Sequence, residues 1–403
     1  MTNMDVLAIC SCFLFLSLAR CDDPEKNMNA RQMILFNGYP EEDHWVTTED
    51  GFILGLQRIP HSKTDDNATD RPVIFLQHGL LCSSTNWITN LEYESLAFLL
   101  SDAGFDVWLG NIRGNTYSTN HTTLHPSDAA FWAWSYDEMA RYDLPAMLYY
   151  VINVTNQSDI YYVGHSQGTL MAFIGFSMNA KLASHIKAYF ALAPVARYGH
   201  AVGLMRYIAY AKPEIKDFIK LFGIRDFLPS NEFTKIVAQF FCNEPFIDGV
   251  CDNVLFLLFG YDEANLNETR VPIYLSHTPA GTSVQNMYHF AQGVRYGTFQ
   301  MYDYGSTKAN MAHYNNSTPP QYNLTNFHVP THVYAGGQDD LANPTDVAWL
   351  IEQLSATNAL LSNQTIPSYE HLDFIWGEDA RTRVYADIIE KAKASAGNKK
   401  FIN

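Results

Sequence analysis

The chain has 403 residues, 47% of them hydrophobic and 17% charged. It can therefore bury a large core, which excludes an intrinsically disordered protein. Lys and Arg number 26 against 42 Asp and Glu, so the formal net charge is −16. This negative excess argues against nucleic-acid binding as the main function, because it repels phosphate backbones. The aromatic content of 14% fits either a large core or a protein that handles lipid.

The first predicted element is an apolar leader. The run from Val6 to Ala19 is almost wholly apolar and uncharged, and Ser17-Leu18-Ala19 fits the small-residue pattern of a secretory cleavage site. The run is shorter than the ~20 residues that a transmembrane helix needs. The sequence therefore predicts a signal peptide over residues 1–19, cleaved at Ala19 or Cys21, no transmembrane segment, and a secreted or, alternatively, lysosomal protein.

Acceptor sequences of the form N-x-S/T also indicate export, because they are glycosylated in the secretory route. A single triplet arises easily by chance, whereas nine in a chain that begins with a leader predict a glycoprotein. The candidate acceptors are Asn67, Asn120, Asn153, Asn156, Asn267, Asn315, Asn316, Asn323 and Asn363.

Cysteine is sparse after the leader, so the core rather than a disulfide framework must stabilise the fold. Cys242 and Cys251 close a short loop, and we expect them to pair in an oxidising compartment. Neither has the His or Cys spacing of a zinc site, and we expect no metal and no cofactor. Cys82 has no evident partner.

Short apolar runs, each with Gly or Pro at its exit, alternate with helix-compatible sequence. This alternation predicts a mostly parallel α/β sheet with flanking helices. Active sites of open α/β sheets lie at the exits of the strands. The predicted strands are Val73 to Gln77, Phe105 to Leu109, Ile160 to Val163, Ala188 to Leu192 and Thr331 to Ala335.

The stretch from about residue 197 to 321 lacks this alternation. It contains apolar, Phe-rich segments, and the α/β pattern resumes at Thr331. We therefore predict one α/β domain over residues 20–403 with an inserted, largely helical cap at about 197–321. A separate second domain is the alternative.

The pentapeptide Gly164-His165-Ser166-Gln167-Gly168 lies between a predicted strand and a helix-compatible segment. A G-x-S-x-G sequence in this context is typical of the nucleophile elbow of serine hydrolases. Flanking side chains would clash in so tight a turn, which accounts for the glycines. Ser166 is the candidate nucleophile, and the following helix directs its N-terminus at developing negative charge.

A serine hydroxyl is a weak nucleophile that needs a base, which a carboxylate orients. In this architecture the chain order is serine, acid, histidine. His371 is the candidate base because it lies near the end of the chain, whereas His328 and His332 precede the candidate acids.

The candidate acids are Asp339 and Asp340, which both follow the predicted strand exit at Gly336-Gly337. Spacing alone does not separate them. Asp373 is a third and weaker candidate.

The oxyanion of a tetrahedral intermediate needs backbone N–H donors. One is expected from Gln167, directly after the nucleophile, and the other from the loop after an earlier strand. The loop His78-Gly79-Leu80-Leu81 suits this role, and we assign the second donor to Leu80. A turn without function at the strand end is the alternative.

These residues belong to a longer series of motifs in which the chain resembles the acid lipase family, which includes gastric and lysosomal acid lipases and secreted insect relatives. The resemblance runs nearly end to end after the leader. Besides the pentapeptide at 164–168, its motifs are Asn37-Gly38-Tyr39-Pro40, Thr48-Glu49-Asp50-Gly51, Gln77 to Leu81, Leu109 to Thr116, Phe131 to Ser135 with Asp137 to Met139, Pro279 to Asn286, and Tyr369 to Trp376.

The resemblance implies an α/β-hydrolase core with a cap inserted after the nucleophile elbow. It also implies hydrolysis of triacylglycerols, cholesteryl esters or related lipid esters, and it selects Asp339 over Asp340. The site residues that it implies are the nucleophile Ser166, the acid Asp339, the base His371, the oxyanion donors Leu80 and Gln167, and a disulfide between Cys242 and Cys251.

The sequence therefore predicts a secreted serine hydrolase that cleaves lipid esters through an acyl-enzyme, acting at a lipid-droplet or micelle surface. A short-chain carboxylesterase is one alternative. A non-catalytic lipid carrier or yolk-type protein is another, although it would be expected to lack a member of the triad. Cap residues expected in part to line an acyl-chain pocket are Phe218, Phe222, Phe240, Phe241, Phe256 and Phe259.

Overall fold

The computed structural model describes residues 23–65, 70–210, 260 and 263–396. Several predictions fall outside these residues and stay predictions. They are the leader over 1–19, the pairing of Cys242 with Cys251, glycosylation of Asn67, and the six cap phenylalanines at 218, 222, 240, 241, 256 and 259.

The strands of the described residues form one mixed sheet. Their bounds are β1 (Glu42–Thr47), β2 (Phe52–Ile59), β3 (Val73–Gln77), β4 (Asp106–Gly110), β5 (Asn120–His121), β6 (Ile160–His165), β7 (Ile186–Leu192), β8 (Thr331–Gly336) and β9 (Leu360–Ile366). The order across the sheet is β1-β2-β4-β3-β6-β7-β8-β9, and β5 pairs with β2.

The sheet is parallel from β4 to β9, whereas β1, β2 and β5 pair antiparallel at one edge. Every residue of β3, β4 and β6 is buried, as expected of parallel strands covered on both faces. The five predicted strands are present with ends shifted by at most two residues. The predicted fold class, a mostly parallel sheet with flanking helices, is confirmed.

Helices connect the parallel strands of this sheet. The α-helices of the described residues are α1 (Ala30–Phe36), α2 (Leu96–Asp102), α3 (Tyr136–Glu138), α4 (Leu144–Thr155), α5 (Gln167–Met178), α6 (Ala180–Ala183), α7 (Gly203–Tyr210), α8 (Val271–His277), α9 (Val284–Tyr296), α10 (Thr307–Tyr314), α11 (Pro344–Ala356), α12 (Asp373–Trp376) and α13 (Ala386–Ser395). Among these residues, no helix has both the length and the apolar character needed to cross a membrane.

The described part of residues 197–321 contributes the helices α7 to α10 and no strand of the central sheet. Helix α9 is capped at its N-terminus by Ser283, whose side chain accepts the N–H of Asn286. Its buried residues include Phe290 and Val294. This helical character agrees with a cap, while the bounds at 197 and 321 stay a prediction.

Most of the glycosylation candidates in the described residues are accessible. Asn267 is partly buried, and the exposed acceptors are Asn120, Asn153, Asn156, Asn315, Asn316, Asn323 and Asn363. Their glycosylation stays a prediction.

Asp137, in α3, joins the core to the segment that follows α9. Its Oδ2 accepts the Tyr302 N–H at 2.9 Å, and its Oδ1 accepts the Tyr322 hydroxyl. The Nδ1 atom of His289 lies 3.7 Å from Oδ1. Burial raises the pKa of Asp137 to about 7, against the lowering effect of its two hydrogen bonds.

We expect Asp137→Asn to flatten the dependence of the free energy of unfolding on pH. The carboxyl has a pKa of about 7 in the folded protein and of about 3.9 in an unfolded chain. Between these values the folded state holds a proton that the unfolded state lacks. The stabilisation from this group is thus fully present below about pH 4 and is lost as the pH rises through 7, by at most about 1.4 kcal/mol per pH unit.

Urea unfolding of both proteins at pH 4, 5.5 and 7 measures this difference. The asparagine keeps an oxygen that can accept the Tyr302 N–H, so the contact with the following segment is retained at each pH. Parallel stability curves for Asp137→Asn and the unmodified protein would contradict the prediction.

Candidate active site

The candidate site lies where the parallel strands end. Ser166 directly follows β6, Leu80 follows β3, Asp339 follows β8 and His371 follows β9. Because the carboxyl ends of parallel strands meet at one edge of the sheet, the topology brings together residues that are up to 291 positions apart in the chain.

Ser166 occupies a tight turn between β6 and α5, with φ of 53° and ψ of −120°. A Cβ atom on Gly164 would lie 2.9 Å from the backbone of Gly168, and one on Gly168 would lie 2.4 Å from the Gln77 carbonyl oxygen. Both positions therefore exclude a side chain. The packing of the neighbouring backbone holds Ser166 in this uncommon conformation.

Ser166, His371 and Asp339 form one line of hydrogen bonds. The His371 Nε2 atom lies 2.7 Å from Ser166 Oγ, and its Nδ1 lies 2.9 Å from Asp339 Oδ2. All three side chains are buried. An ionised carboxylate only accepts hydrogen bonds, so the imidazole carries its proton on Nδ1 and presents an unprotonated Nε2 to the serine hydroxyl.

The carboxylate of Asp339 is itself held in place by the backbone. Its Oδ1 accepts the N–H groups of Leu341 at 2.9 Å and Ala342 at 2.7 Å. Asp340 is exposed, whereas Asp373 accepts the Glu370 N–H through Oδ2 at 2.6 Å. Of the three candidate acids, Asp339 lies within hydrogen-bond distance of His371 Nδ1 through both carboxylate oxygens.

His165, between Gly164 and the candidate nucleophile, has a contact that the sequence did not indicate. Its Nε2 lies 3.0 Å from the His371 carbonyl oxygen. Burial lowers the pKa of His165 to about 3, so the ring is neutral and donates through Nε2. This bond supports the backbone that carries the candidate base.

The two candidate oxyanion donors flank Ser166. Gln167 is the first residue of α5, where a backbone N–H lacks a partner within the helix. Leu80 lies in a loop that passes close to the serine, since a Cβ atom on Gly79 would lie 2.9 Å from Ser166 Cβ. Among the described residues, no acceptor contacts the N–H of Leu80 or of Gln167.

Two residues that the sequence did not single out hold the segment after Ser166. Asn286 Nδ2 donates to Gln167 Oε1 at 2.7 Å, and Thr169 Oγ1 donates to the Ser166 carbonyl oxygen at 2.6 Å. Asn286 lies in the motif at 279–286, which is 119 positions from Gln167, so no local pattern could have indicated the contact.

An apolar cavity opens beside Ser166. It is bounded by side chains of the core and of the segment at 197–321. Besides Ser166, its lining residues are Leu80, Val195, Tyr198, Ala201, Met205, Phe290, Val294 and Leu341.

Cys82 lies just after the loop at residues 78–81, which carries the candidate oxyanion donor Leu80, and it is buried. Burial raises the pKa of its thiol to about 12, which keeps the sulfur protonated and weakly nucleophilic. In the described part of the chain, no group of three His, Cys, Asp or Glu residues is arranged to hold a metal ion.

Comparison with protein families gives two matches. A model described as a partial alpha/beta-hydrolase lipase region matches residues 30–91, and a model of the alpha/beta hydrolase fold matches residues 72–378. Among solved structures, an epoxide hydrolase from Vigna radiata has a TM-score of 0.52 at 15% identity, covering 88% of this chain and 98% of its own. The last comparison shows the fold alone.

Curated relatives are far more similar in sequence. The lysosomal acid lipase/cholesteryl ester hydrolase of Homo sapiens is 50% identical over 369 residues, and the gastric triacylglycerol lipase of Homo sapiens is 48% identical over 367 residues. Lipase member K of Homo sapiens is 48% identical over 368 residues. Each alignment covers 91% of this chain and 91% of the relative. The chain therefore belongs to the acid lipase family of α/β-hydrolases.

Proposed function

We propose that this protein is a lipase that hydrolyses carboxylic esters of lipids, triacylglycerols or cholesteryl esters, through an acyl-enzyme on Ser166. The observation that carries the proposal is the hydrogen-bonded line from Ser166 through His371 to Asp339, next to an apolar cavity. The names of the similar lipases support the same class of substrate.

In the acylation step, Ser166 Oγ attacks the ester carbonyl carbon while His371 Nε2 removes the hydroxyl proton. Asp339 stabilises the resulting imidazolium and keeps Nδ1 protonated. His371 then gives the proton to the alkoxide of the departing alcohol. The bond between Ser166 Oγ and the acyl carbon forms first and leaves the negative charge on the carbonyl oxygen; the ester C–O bond breaks when this tetrahedral intermediate collapses and the departing oxygen takes the proton from His371.

The negative charge that develops on the carbonyl oxygen needs donors that are already in position. The N–H groups of Leu80 and Gln167 are assigned this role because both flank Ser166 and lack an acceptor among the described residues. Donors that are fixed before the reaction cost no reorganisation in the transition state.

Deacylation reverses the roles with water in place of the alcohol. His371 Nε2 removes a proton from the water as its oxygen attacks the acyl carbon, and the proton then returns to Ser166 Oγ. The products are a fatty acid and the regenerated serine. No metal or cofactor is needed for any of these steps.

The apolar lining of the cavity favours a long acyl chain over a short one, because burying each CH₂ group contributes about 0.8 kcal/mol. This is the reason for preferring a lipase to a short-chain carboxylesterase. We assign the lipid-droplet or micelle surface as the place of action, and a secreted or lysosomal location. The cap at about 197–321 supplies part of the cavity wall.

Hydrolysis of triolein, cholesteryl oleate and a butyrate ester by the purified protein tests this function. We expect the long-chain esters to be cleaved, and we expect Ala201→Phe, which fills the cavity, to lower kcat/KM for them at least about 10-fold relative to the butyrate ester. Retained butyrate cleavage shows that the variant is folded.

Efficient cleavage of the butyrate ester alone would favour the short-chain carboxylesterase. A folded protein that cleaves none of the three esters and does not react with a fluorophosphonate would instead be a lipid carrier. Either outcome would overturn the proposed function.

A further inference from the structure

His78, the residue that follows β3, has no assigned part in the reaction. Its side chain is fully buried. The Nδ1 atom lies 2.8 Å from the carbonyl oxygen of Gly79, and Nε2 lies 3.1 Å from Asn115 Nδ2 and 3.4 Å from the Ile112 nitrogen. The ring therefore contacts the oxyanion loop on one side and the loop after β4 on the other.

The partners of Nε2 decide the tautomer of this ring. The Ile112 N–H is a donor, and so is Asn115 Nδ2, because the Oδ1 of the same amide accepts the Tyr117 N–H at 3.0 Å. Nε2 must then accept, which places the proton on Nδ1. Burial lowers the pKa of His78 to about 4, so the ring is neutral and Nδ1–H donates to the Gly79 carbonyl.

This bond bears directly on the oxyanion donor. The Gly79 carbonyl and the Leu80 N–H belong to the same peptide unit, which is planar and trans, so the two groups point in opposite directions. Holding the carbonyl oxygen against His78 Nδ1 therefore fixes the direction of the Leu80 N–H. The Cys82 N–H also donates to this oxygen, at a longer distance of 3.3 Å.

We propose that His78 is a positioning residue of the oxyanion site, which acts through the Gly79–Leu80 peptide to aim the Leu80 N–H at the reacting oxygen. The inference rests on the function proposed above, in which Leu80 is a donor. Asn115 donates to the unprotonated Nε2 of His78 and so keeps the ring oriented with its protonated Nδ1 towards the Gly79 carbonyl oxygen.

The loop also has an anchor that does not involve His78. The Ala280 N–H donates to the Leu81 carbonyl oxygen at 2.6 Å. Loss of the bond from His78 should thus let one peptide unit rotate while the rest of the loop stays in place. A positioning role consequently predicts a specific loss of transition-state stabilisation, whereas a purely structural role predicts a loss of stability.

Two substitutions separate the functions of the two ring nitrogens. In His78→Asn, the side-chain amide can place a donor near the position of Nδ1. In His78→Gln, the longer side chain can place an acceptor near the position of Nε2 and leaves the Gly79 oxygen without its side-chain donor. We measure kcat and KM on one ester, together with the affinity for an alkyl boronic acid that forms a tetrahedral adduct.

We expect His78→Gln to lower kcat about 10- to 100-fold with little change in KM, since losing a whole oxyanion donor costs about 10²- to 10³-fold. Boronic acid affinity should fall in parallel with kcat. His78→Asn should stay within about threefold of the unmodified protein. Equal losses in both variants, or unchanged kcat in His78→Gln, would overturn the proposal.

The unmodified protein supplies a second measurement that does not depend on how the variants fold. With ¹⁵N-labelled histidine, NMR reports which ring nitrogen of His78 carries the proton. We expect the Nδ1-protonated neutral ring at pH 6, and a proton on Nε2 would overturn the proposal. If the unmodified protein hydrolyses no ester, the proposed function fails, whereas normal hydrolysis with an Nε2-protonated His78 contradicts this inference alone.

Discussion

Replacing Ser166 by alanine is expected to lower kcat for long-chain esters by on the order of 10⁴-fold or more. The change removes the hydroxyl that lies 2.7 Å from His371 Nε2, and so prevents formation of the acyl-enzyme. The other residues that line the cavity are not altered, so substrate binding should be largely retained. The loss should therefore appear in kcat, measured on triolein with purified, folded protein.

Ser177→Ala is a matched control for this experiment. Ser177 lies in α5, the helix that follows Ser166, and its hydroxyl donates to the Ile174 carbonyl oxygen at 2.8 Å. The chemical change is the same as at position 166 but lies away from the cavity, and we expect activity close to that of the unmodified protein. Substantial turnover by Ser166→Ala would eliminate Ser166 as the nucleophile.

Asp339→Asn is expected to lower kcat by about 10⁴-fold, although the side chain keeps its shape. Oδ1 of Asp339 accepts two backbone N–H groups, so the new amide should keep its oxygen there. Its NH₂ group then replaces Oδ2, 2.9 Å from His371 Nδ1. Facing a donor, Nδ1 must accept, which moves the ring proton to Nε2 and leaves no base for Ser166.

Asp340→Asn is the matched control for the Asp339→Asn prediction. It makes the same change at the neighbouring position, which the residues alone could not distinguish from Asp339. Because Asp340 is exposed, we expect its kcat to stay within about twofold of the unmodified value. Similar losses for both variants, measured on the same ester, would show that neither carboxylate acts specifically through His371.

The strands that could be predicted are those buried on both faces. Runs such as Val73 to Leu76 are wholly apolar, and that composition is visible without knowing the fold. Three strands of four or more residues were not predicted: β1, β2 and β9. Two of them, β1 and β9, lie at the ends of the sheet order, and their residues are mostly exposed or half-buried. An edge strand of this kind lacks the continuous apolar run on which the prediction depended.

The candidate site likewise contains residues that the sequence could indicate and residues that it could not distinguish. Ser166 was predictable because the elbow is a local structure, in which backbone contacts over five residues require the glycines. His371 followed from chain order. The residues alone did not separate Asp339 from Asp340, because adjacent positions on a loop differ only in the direction of their side chains. The choice of Asp339 came from the family resemblance.

The sequence by itself predicted the class of fold, which the structure confirms, and a serine as the candidate nucleophile. The first depends on composition that repeats along the chain, and the second on a pattern that is complete within five residues. The tertiary structure alone decided which groups contact each other across the sheet. Asn115 sets the tautomer of His78 from 37 positions away, and Asn286 holds the Gln167 side chain from 119 positions away. Such contacts depend on strand order and on how helices pack, neither of which leaves a local pattern in the chain.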